Sequence, residues 1–388
     1  MNVLKDRLAA DDHPKKVNLA PGTYRCESGQ PWILPCFRLA AERLLADRGY
    51  DHEYLGLLGH PKFLHYAREL VLGPKVDTST IASLQTVGGT GAVHMGALIL
   101  KLFSDRPSTV FISDPTWVNH HDVFQHAGWR TESYRYYDSV NKSLDFGSFV
   151  QSLRTAPSRS IYVLHAVGHN PTGCDPSLEQ WRALAQLFKE KDHFAFFDCA
   201  YQGFVSGNLE QDRQAVELFA SHGIAMCVAQ SLSKNAGMYG ERLGALHVFC
   251  GTVSSTKLVK QQLKVLTRRE ISCAPKYGAD LVSTVCSDPK LRAMWDSDLK
   301  HISGRIIAMR HGLFDRLVKL ETPGDWSHII RQRGMFAYSG LTPEQCNALV
   351  DDYHIYVPRT GRMMMAGLNE DNLDYVAEAI HRVVVDHE

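Results

Sequence analysis

Forty-two basic residues balance forty-two acidic ones in this 388-residue chain, so no net field favours nucleic acid or an anionic membrane. Hydrophobic residues make up 44% and charged residues 22%, an ordinary globular composition. No apolar run reaches about 18 residues, so no transmembrane helix is expected, and the length predicts about two domains.

The first residues, Met1 to Leu8, lack the apolar core of a signal peptide, and Asp6, Asp11 and Asp12 argue against a mitochondrial presequence. Nine cysteines, with no CxxC pair, form neither a disulfide framework nor a zinc pattern. A reducing cytoplasm is the expected compartment. Residues 1–30 read as a loop-rich segment able to join a C-terminal unit. Residues 31–300 read as a large domain and 301–388 as a smaller one.

Between about residues 80 and 250, strand-length apolar runs alternate with helical patterns. The strands read as Ser83–Val87, Val110–Ser113, Ile161–His165, Phe194–Phe197, Ala225–Gln230 and Ala245–Phe249. They are nearly continuous in Val, Ile, Leu and Phe, the pattern of strands buried on both faces. With helices between them they predict an α/β fold with a mostly parallel sheet. One intervening helix is signalled by Asp175 as its cap, Pro176 in its first turn, and Leu178, Trp181, Ala185 and Phe188 on one face. Residues 288–320 read as one long amphipathic helix, stopped by Thr322-Pro323-Gly324. Short strands and helices follow to residue 388.

Ligands of such sheets bind at the carboxyl ends of the strands, and these ends carry unusual groups. Gly88-Gly89-Thr90-Gly91 precedes the apolar helix Ala92–Phe103; glycines there let backbone N–H groups approach a phosphate. Asp114-Pro115-Thr116-Trp117 puts an aromatic face beyond a strand end, followed by His120 and His121. Asn170 precedes Pro171, which holds it extended and directs its amide. His165 and His169 lack a third ligand at metal spacing, so satisfied buried histidines are expected there rather than a metal. Asp198 closes an apolar strand, where a carboxylate is costly unless paired; a pyridinium nitrogen is a suitable partner. Tyr201 lies three residues on.

Ser231-Leu232-Ser233-Lys234 is the most informative stretch. A lysine at the mouth of a buried strand can hold an aldehyde cofactor as a Schiff base. Ser231, Ser233 and Arg242 suit that cofactor's phosphate. Taken singly, each feature has an ordinary explanation: a solvated loop, a tight turn, a helix cap, a packed aromatic ring.

Together and in order they resemble the aspartate aminotransferase branch of the fold-type I pyridoxal-phosphate enzymes. The resemblance runs from Val87-Gly88-Gly89-Thr90-Gly91 through His169-Asn170-Pro171-Thr172-Gly173, Phe197-Asp198-Cys199-Ala200-Tyr201, Ser231-Leu232-Ser233-Lys234-Asn235 and Tyr239-Gly240-Glu241-Arg242. It continues to Arg333-Gly334-Met335-Phe336 and Gly361-Arg362. It implies a large, mostly parallel domain plus a smaller α+β domain built from both termini.

It also implies roles. Lys234 would form the aldimine with pyridoxal 5'-phosphate and shuttle the proton. Asp198, hydrogen-bonded to His120, would hold the pyridine nitrogen protonated. Tyr201 and Asn170 would contact the phenolic oxygen, and Trp117 would stack on the ring. Gly89, Thr90, Ser231, Ser233 and Arg242 would bind the phosphate, with Tyr54 arriving from the other subunit of a homodimer. Arg362 would clamp the substrate α-carboxylate, and Arg268 from the neighbouring subunit the distal one. Gly22 and Phe336, with Trp117 and Asn170, would line the substrate space. The implied reaction is ping-pong transamination of L-aspartate and 2-oxoglutarate to oxaloacetate and L-glutamate. The partners are small amino and 2-oxo acids, with no nucleic acid, membrane or metal.

Departures surround the substrate. The glycine-rich entrance segment reads Leu19-Ala20-Pro21-Gly22-Thr23-Tyr24, and Pro21 stiffens it. Ala236 replaces an aromatic residue and is expected to leave room near the lysine. Cys273-Ala274 replaces Asn-Pro beside the expected distal-carboxylate end, and the N-terminal arm is about ten residues short, by the same resemblance. Alternatives are therefore an aminotransferase of aromatic or specialised amino acids, a lyase or decarboxylase on this scaffold, and a family member that only binds. The intact set of Lys234, Asp198, Tyr201, Asn170, Arg242 and Arg362 speaks against the last.

Overall fold

The computed structural model describes residues 2–386 apart from Lys75 and Ser104. Its main sheet has seven strands: β1 (Ile81–Val87), β2 (Thr109–Asp114), β3 (Arg130–Arg135), β4 (Ile161–His165), β5 (Phe194–Cys199), β6 (Met226–Ser231) and β7 (Leu243–Phe249). Their spatial order is β1-β7-β6-β5-β4-β2-β3. Strand β7 runs antiparallel to both β1 and β6, and the other pairs are parallel.

The six expected strands are present. β1, β2, β5 and β7 are longer than their apolar cores, and β6 lies one residue later, at Met226–Ser231. β3 was not expected. It reads Arg-Thr-Glu-Ser-Tyr-Arg, and only Tyr134 of it is buried. An edge strand pairs on one side and needs no apolar run.

The continuous apolar strands feed both faces of the sheet by alternation. Tyr162 and Leu164 of β4, with Ala195 and Phe197 of β5, enter one core. Ile161, Val163, Phe194 and Phe196 enter the core on the opposite face. The helix Gly88–Phe103 packs on that second face. A Cβ added at Gly96 would lie 2.7 Å from the ring of Phe196, so the glycine sets how closely helix and sheet approach.

The expected cap of the helix Leu178–Glu190 is corrected. Ser177 is the N-cap, accepting from Gln180 N in a capping box. Asp175 instead turns back, its two carboxylate oxygens accepting from Gly168 N and His169 N, each at 2.8 Å. Three consecutive candidates, Asp175, Pro176 and Ser177, made the cap ambiguous in sequence. The structure resolves this by giving Ser177 to the helix and Asp175 to the Gly168 loop.

The long helix is Pro289–Lys319, capped by Asp288; residue 300, the expected domain boundary, falls within it. Trp295 on this helix is fully buried and donates to Asn235 O at 2.7 Å, which ties the helix to the lysine loop. A further core joins both ends of the chain. Val17–Asn18 pairs in parallel with Ile355–Tyr356, and Phe336–Tyr338 pairs antiparallel with Arg362–Met364. Among the described residues, no helix is long and apolar enough to cross a membrane.

Candidate active site

The carboxyl ends of β1, β2, β4, β5 and β6 open on one side of the sheet. The antiparallel β7 begins there, so Arg242 just before it reaches the same place. One cavity is walled by Thr90, Trp117, Asn170, Asp198, Tyr201 and Lys234, with Gly89, Ser231, Ser233, Tyr239 and Arg242 at one end. Residues spread over 150 positions in sequence meet because each follows a strand of the same sheet.

Lys234 Nζ lies 5.1 Å from the centre of the Tyr201 ring. Burial pushes its pKa down, and the positive charges of Arg242 and Arg362 push the same way; the carboxylate of Asp198 opposes them. This lowering favours the neutral, nucleophilic form of the amine.

Asp198 is held from behind. Burial raises its pKa, but the hydrogen bond from His120 and electrostatic attraction to the neighbouring nitrogen groups of His120, His165 and Lys234 outweigh it, leaving the carboxyl below its ordinary value. His120 Nε2 donates to Asp198 Oδ2 at 3.0 Å, and Thr116 Oγ1 meets His120 Nδ1 at 2.7 Å. Thr116 was not singled out from sequence, although it stands within the quoted Asp114-Pro115-Thr116-Trp117.

Asn170 Nδ2 donates to Tyr201 Oη at 3.2 Å. Burial raises the Tyr201 phenol well above its ordinary value, so it stays protonated and able to donate. The Asp114-Pro115 and Asn170-Pro171 bonds are cis. Arg362 adjoins this group: Nη1 lies 3.5 Å from Asn170 Oδ1, and Nη2 donates to Ala20 O at 2.6 Å. Its guanidinium sits over the Phe336 ring at 4.2 Å. A Cβ on Gly22 would lie 3.3 Å from that same ring.

His169 is satisfied as expected, by Ser113 and Thr172. His165 accepts from Asn170 N through Nδ1, while its buried Nε2 has no partner. The sequence spacing offers His165 and His169 no third ligand, and the group the fold assembles leaves His169 out. Asp198, distant in sequence, joins His120 and His165 with atoms within 4.8 Å of one another. His120 and Asp198 are bonded to each other.

Two expected residues are not brought into the cavity. Tyr54 is 89% exposed. Arg268, exposed near the end of the helix Val253–Glu270, donates to Ser272 Oγ at 2.6 Å. Ala236 is buried in the core, its N–H directed to Leu232 O; it does not border the cavity. Tyr239 is a wall residue that sequence reasoning left without a role, although it belongs to the quoted Tyr239-Gly240-Glu241-Arg242.

The cavity's phosphate end was tested by its shape and donors. A Cβ on Gly88 would lie 2.4 Å from Arg242 Nη2, and one on Gly89 2.8 Å from Ser231 Cβ. Only glycine leaves this concavity open. The N-terminus of the 16-residue helix Gly88–Phe103, two serine hydroxyls and Arg242 face it. This set suits a dianion, and with Lys234 and Asp198 beyond it fits a phosphorylated pyridine aldehyde.

The model of the family "Aminotransferase class I and II" matches residues 14–380. The cytoplasmic aspartate aminotransferase of Dictyostelium discoideum is 42% identical over 373 residues, covering 96% of this chain and 84% of that one. The Saccharomyces cerevisiae cytoplasmic aspartate aminotransferase structure matches with a TM-score of 0.97 at 40% identity, covering 100% of this chain and 96% of that one. The aromatic-amino-acid aminotransferase of Burkholderia pseudomallei, solved covalently bound to pyridoxal phosphate, matches with a TM-score of 0.95 at 37% identity, covering 99% and 96%. The strand ends that build the cavity all lie inside the matched span, and the chain belongs to the class I and II aminotransferases, a pyridoxal-phosphate-dependent family.

Proposed function

We propose that this enzyme transfers the amine of L-aspartate to 2-oxoglutarate, giving oxaloacetate and L-glutamate with pyridoxal 5'-phosphate as cofactor. One observation carries the reading: the part-buried Lys234 shares one cavity with a dianion cradle and the His120-supported Asp198, within electrostatic reach of Arg362. The names of the Dictyostelium and yeast relatives support the choice of aspartate.

In this reading Gly89, Thr90, Ser231, Ser233 and Arg242 hold the cofactor phosphate, Trp117 lies against its ring, and Asp198 pairs with its ring nitrogen. Tyr201 and Asn170 hydrogen-bond its phenolic oxygen. When bound, the cofactor supplies an aldehyde that takes up the amine and a ring that stabilises the carbanion. The chain supplies position and proton transfer. Arg362 grips the substrate α-carboxylate as a bidentate fork, with Gly22 and Phe336 limiting its space. Lys234 Nζ, its pKa lowered chiefly by burial, takes the proton from the substrate α-carbon. Amino donor and 2-oxo acceptor occupy the same site in turn.

We assign the distal-carboxylate contact to Arg268 and a phosphate contact to Tyr54, each reaching the cavity of a second copy in a homodimer. Their exposure on this chain, away from its own cavity, supports that assignment. We assign the cytoplasm as compartment. All nine cysteines are free, as a reducing compartment keeps them. A tagged chain found in mitochondria would overturn it.

The test is a product assay on purified protein saturated with pyridoxal phosphate. L-aspartate and 2-oxoglutarate should yield oxaloacetate and glutamate in equal amounts. Turnover with L-phenylalanine but not aspartate would replace the dicarboxylic reading by the aromatic one. Consumption of aspartate without 2-oxoglutarate would indicate a lyase or decarboxylase.

A further inference from the structure

The entrance segment and the three residues after it, 19–27, form a loop with little regular structure, yet the backbone there is gripped at four points by side chains from elsewhere. Arg362, beside the cavity, holds Ala20 O. Tyr239, in the cavity wall, accepts the Tyr24 N–H on its hydroxyl oxygen at 2.8 Å. Arg305, from the long helix, donates to Arg25 O at 2.9 Å and, through its other nitrogen, to Leu368 O at 2.6 Å. Asn369 Nδ2 donates to Glu27 O at 2.8 Å.

Of these four, the Tyr239 bond joins the segment to the wall near the cradle. The same residue's carbonyl accepts from Arg242 Nη1 at 2.9 Å. One tyrosine therefore braces the cradle arginine with its backbone and the entrance segment with its ring. Burial pushes the Tyr239 phenol up to about 12, so the oxygen is a neutral acceptor and keeps its own proton. The Tyr24 ring is packed between Arg305 and Phe204, 5.5 Å from the guanidinium and 6.3 Å from the ring. Tyr24 is thus held at its ring as well as at the N–H that meets Tyr239.

We propose that Tyr239 is a positioning residue that latches the entrance segment to the cofactor cavity through its hydroxyl. The latch sets how readily substrate is captured rather than how fast bound substrate reacts. The kinetic part rests on the aspartate reading above; the latch itself does not.

The test uses Tyr239→Phe in the holoenzyme. It removes one oxygen and leaves the ring and the carbonyl that serves Arg242. Amide hydrogen exchange at Tyr24 should quicken by about 3- to 10-fold, the range expected for one neutral hydrogen bond. The KM for L-aspartate should rise by a similar factor, with kcat changing less than KM. Unchanged exchange at Tyr24 would overturn the latch. Faster exchange with KM unchanged, or a fall confined to kcat, would overturn its role in capture. If neither the parent nor the variant turns over aspartate but exchange quickens, the latch stands and the aspartate reading fails.

Discussion

At the residue scale, Arg362 shows how geometry separates two residues of equal charge. Its Nη2 is anchored on Ala20 O, its face lies on Phe336 and its Nη1 is near Asn170. A lysine has no fork and no face to offer. Arg362→Lys should lower kcat/KM for dicarboxylic substrates by about 10- to 100-fold, the worth of one charge-assisted bidentate contact. Steady-state kinetics on aspartate would check this; a change within about twofold, far below that range, would remove Arg362 from substrate binding. Much of this site was legible in sequence because each key residue sits within a few positions of a strand end. Thr116 and Tyr239 were read past for a physical reason. Threonine and tyrosine are common in any loop, and their value comes from what they touch, His120 in one case and Tyr24 in the other.

Two buried histidines at this scale contribute to acid stability. Burial, chiefly, pushes His165 and His247 from 6.5 down to about 3. His247 is locked between Ser83 and Gln230. Between those pH values the unfolded chain binds a proton at each histidine that the folded chain refuses. Stability is therefore complete above the unfolded value and lost as pH falls towards the folded one. The slope is about 1.4 kcal/mol per pH unit for each group. Urea unfolding from pH 7 to 4, at fixed chain concentration, should show this decline, and His247→Gln should make it shallower. An equal slope in the variant would mean that the imidazole already titrates freely in the fold.

At the element scale, the three N–H groups of the loop 168–170 all go to side chains, while His169 O accepts from Gly173 N at 2.7 Å. Asp175 takes the N–H groups of Gly168 and His169, and His165 takes that of Asn170. Asn170 thus reaches Tyr201 from a backbone with no slack. Asp175→Ala leaves two donors without acceptors and should cost about 1–3 kcal/mol for each. Asp175→Asn should cost less. It keeps one acceptor, and because burial raises the Asp175 pKa, the neutral amide escapes the desolvation penalty of the carboxylate. Denaturant midpoints for the two variants should fall in that order; a reversal would mean that charge, not acceptor count, holds the loop. The elements themselves were legible where burial was two-sided. β4 matched its apolar run residue for residue, whereas the one-sided β3 left almost no hydrophobic trace.

At the scale of the whole molecule, the proposed reading asks for a distal-carboxylate arginine besides Arg242 and Arg362, and the described residues lining the cavity of one chain include none. Tyr54 and Arg268 stand out in solvent, and exposed apolar side chains lie along the same helix as Arg268, at Val253, Leu258 and Val265, with Ile271 at its cap. Sequence periodicity carries no information on this point, because a helix face left bare looks like any other amphipathic helix until the fold shows what packs on it. The arrangement predicts complementation. A chain carrying Lys234→Ala and a chain carrying Arg268→Ala should each be nearly inactive as homodimers. Unfolded together in equal amounts and refolded, about half the dimers are mixed, and each mixed dimer holds one cavity with an intact lysine and an arginine lent by its partner. Activity should then recover to about a quarter of the parent's, since one intact cavity in half the dimers is a quarter of all cavities. If Arg268 acted within its own chain, mixing would restore nothing, because every cavity would lack one residue or the other.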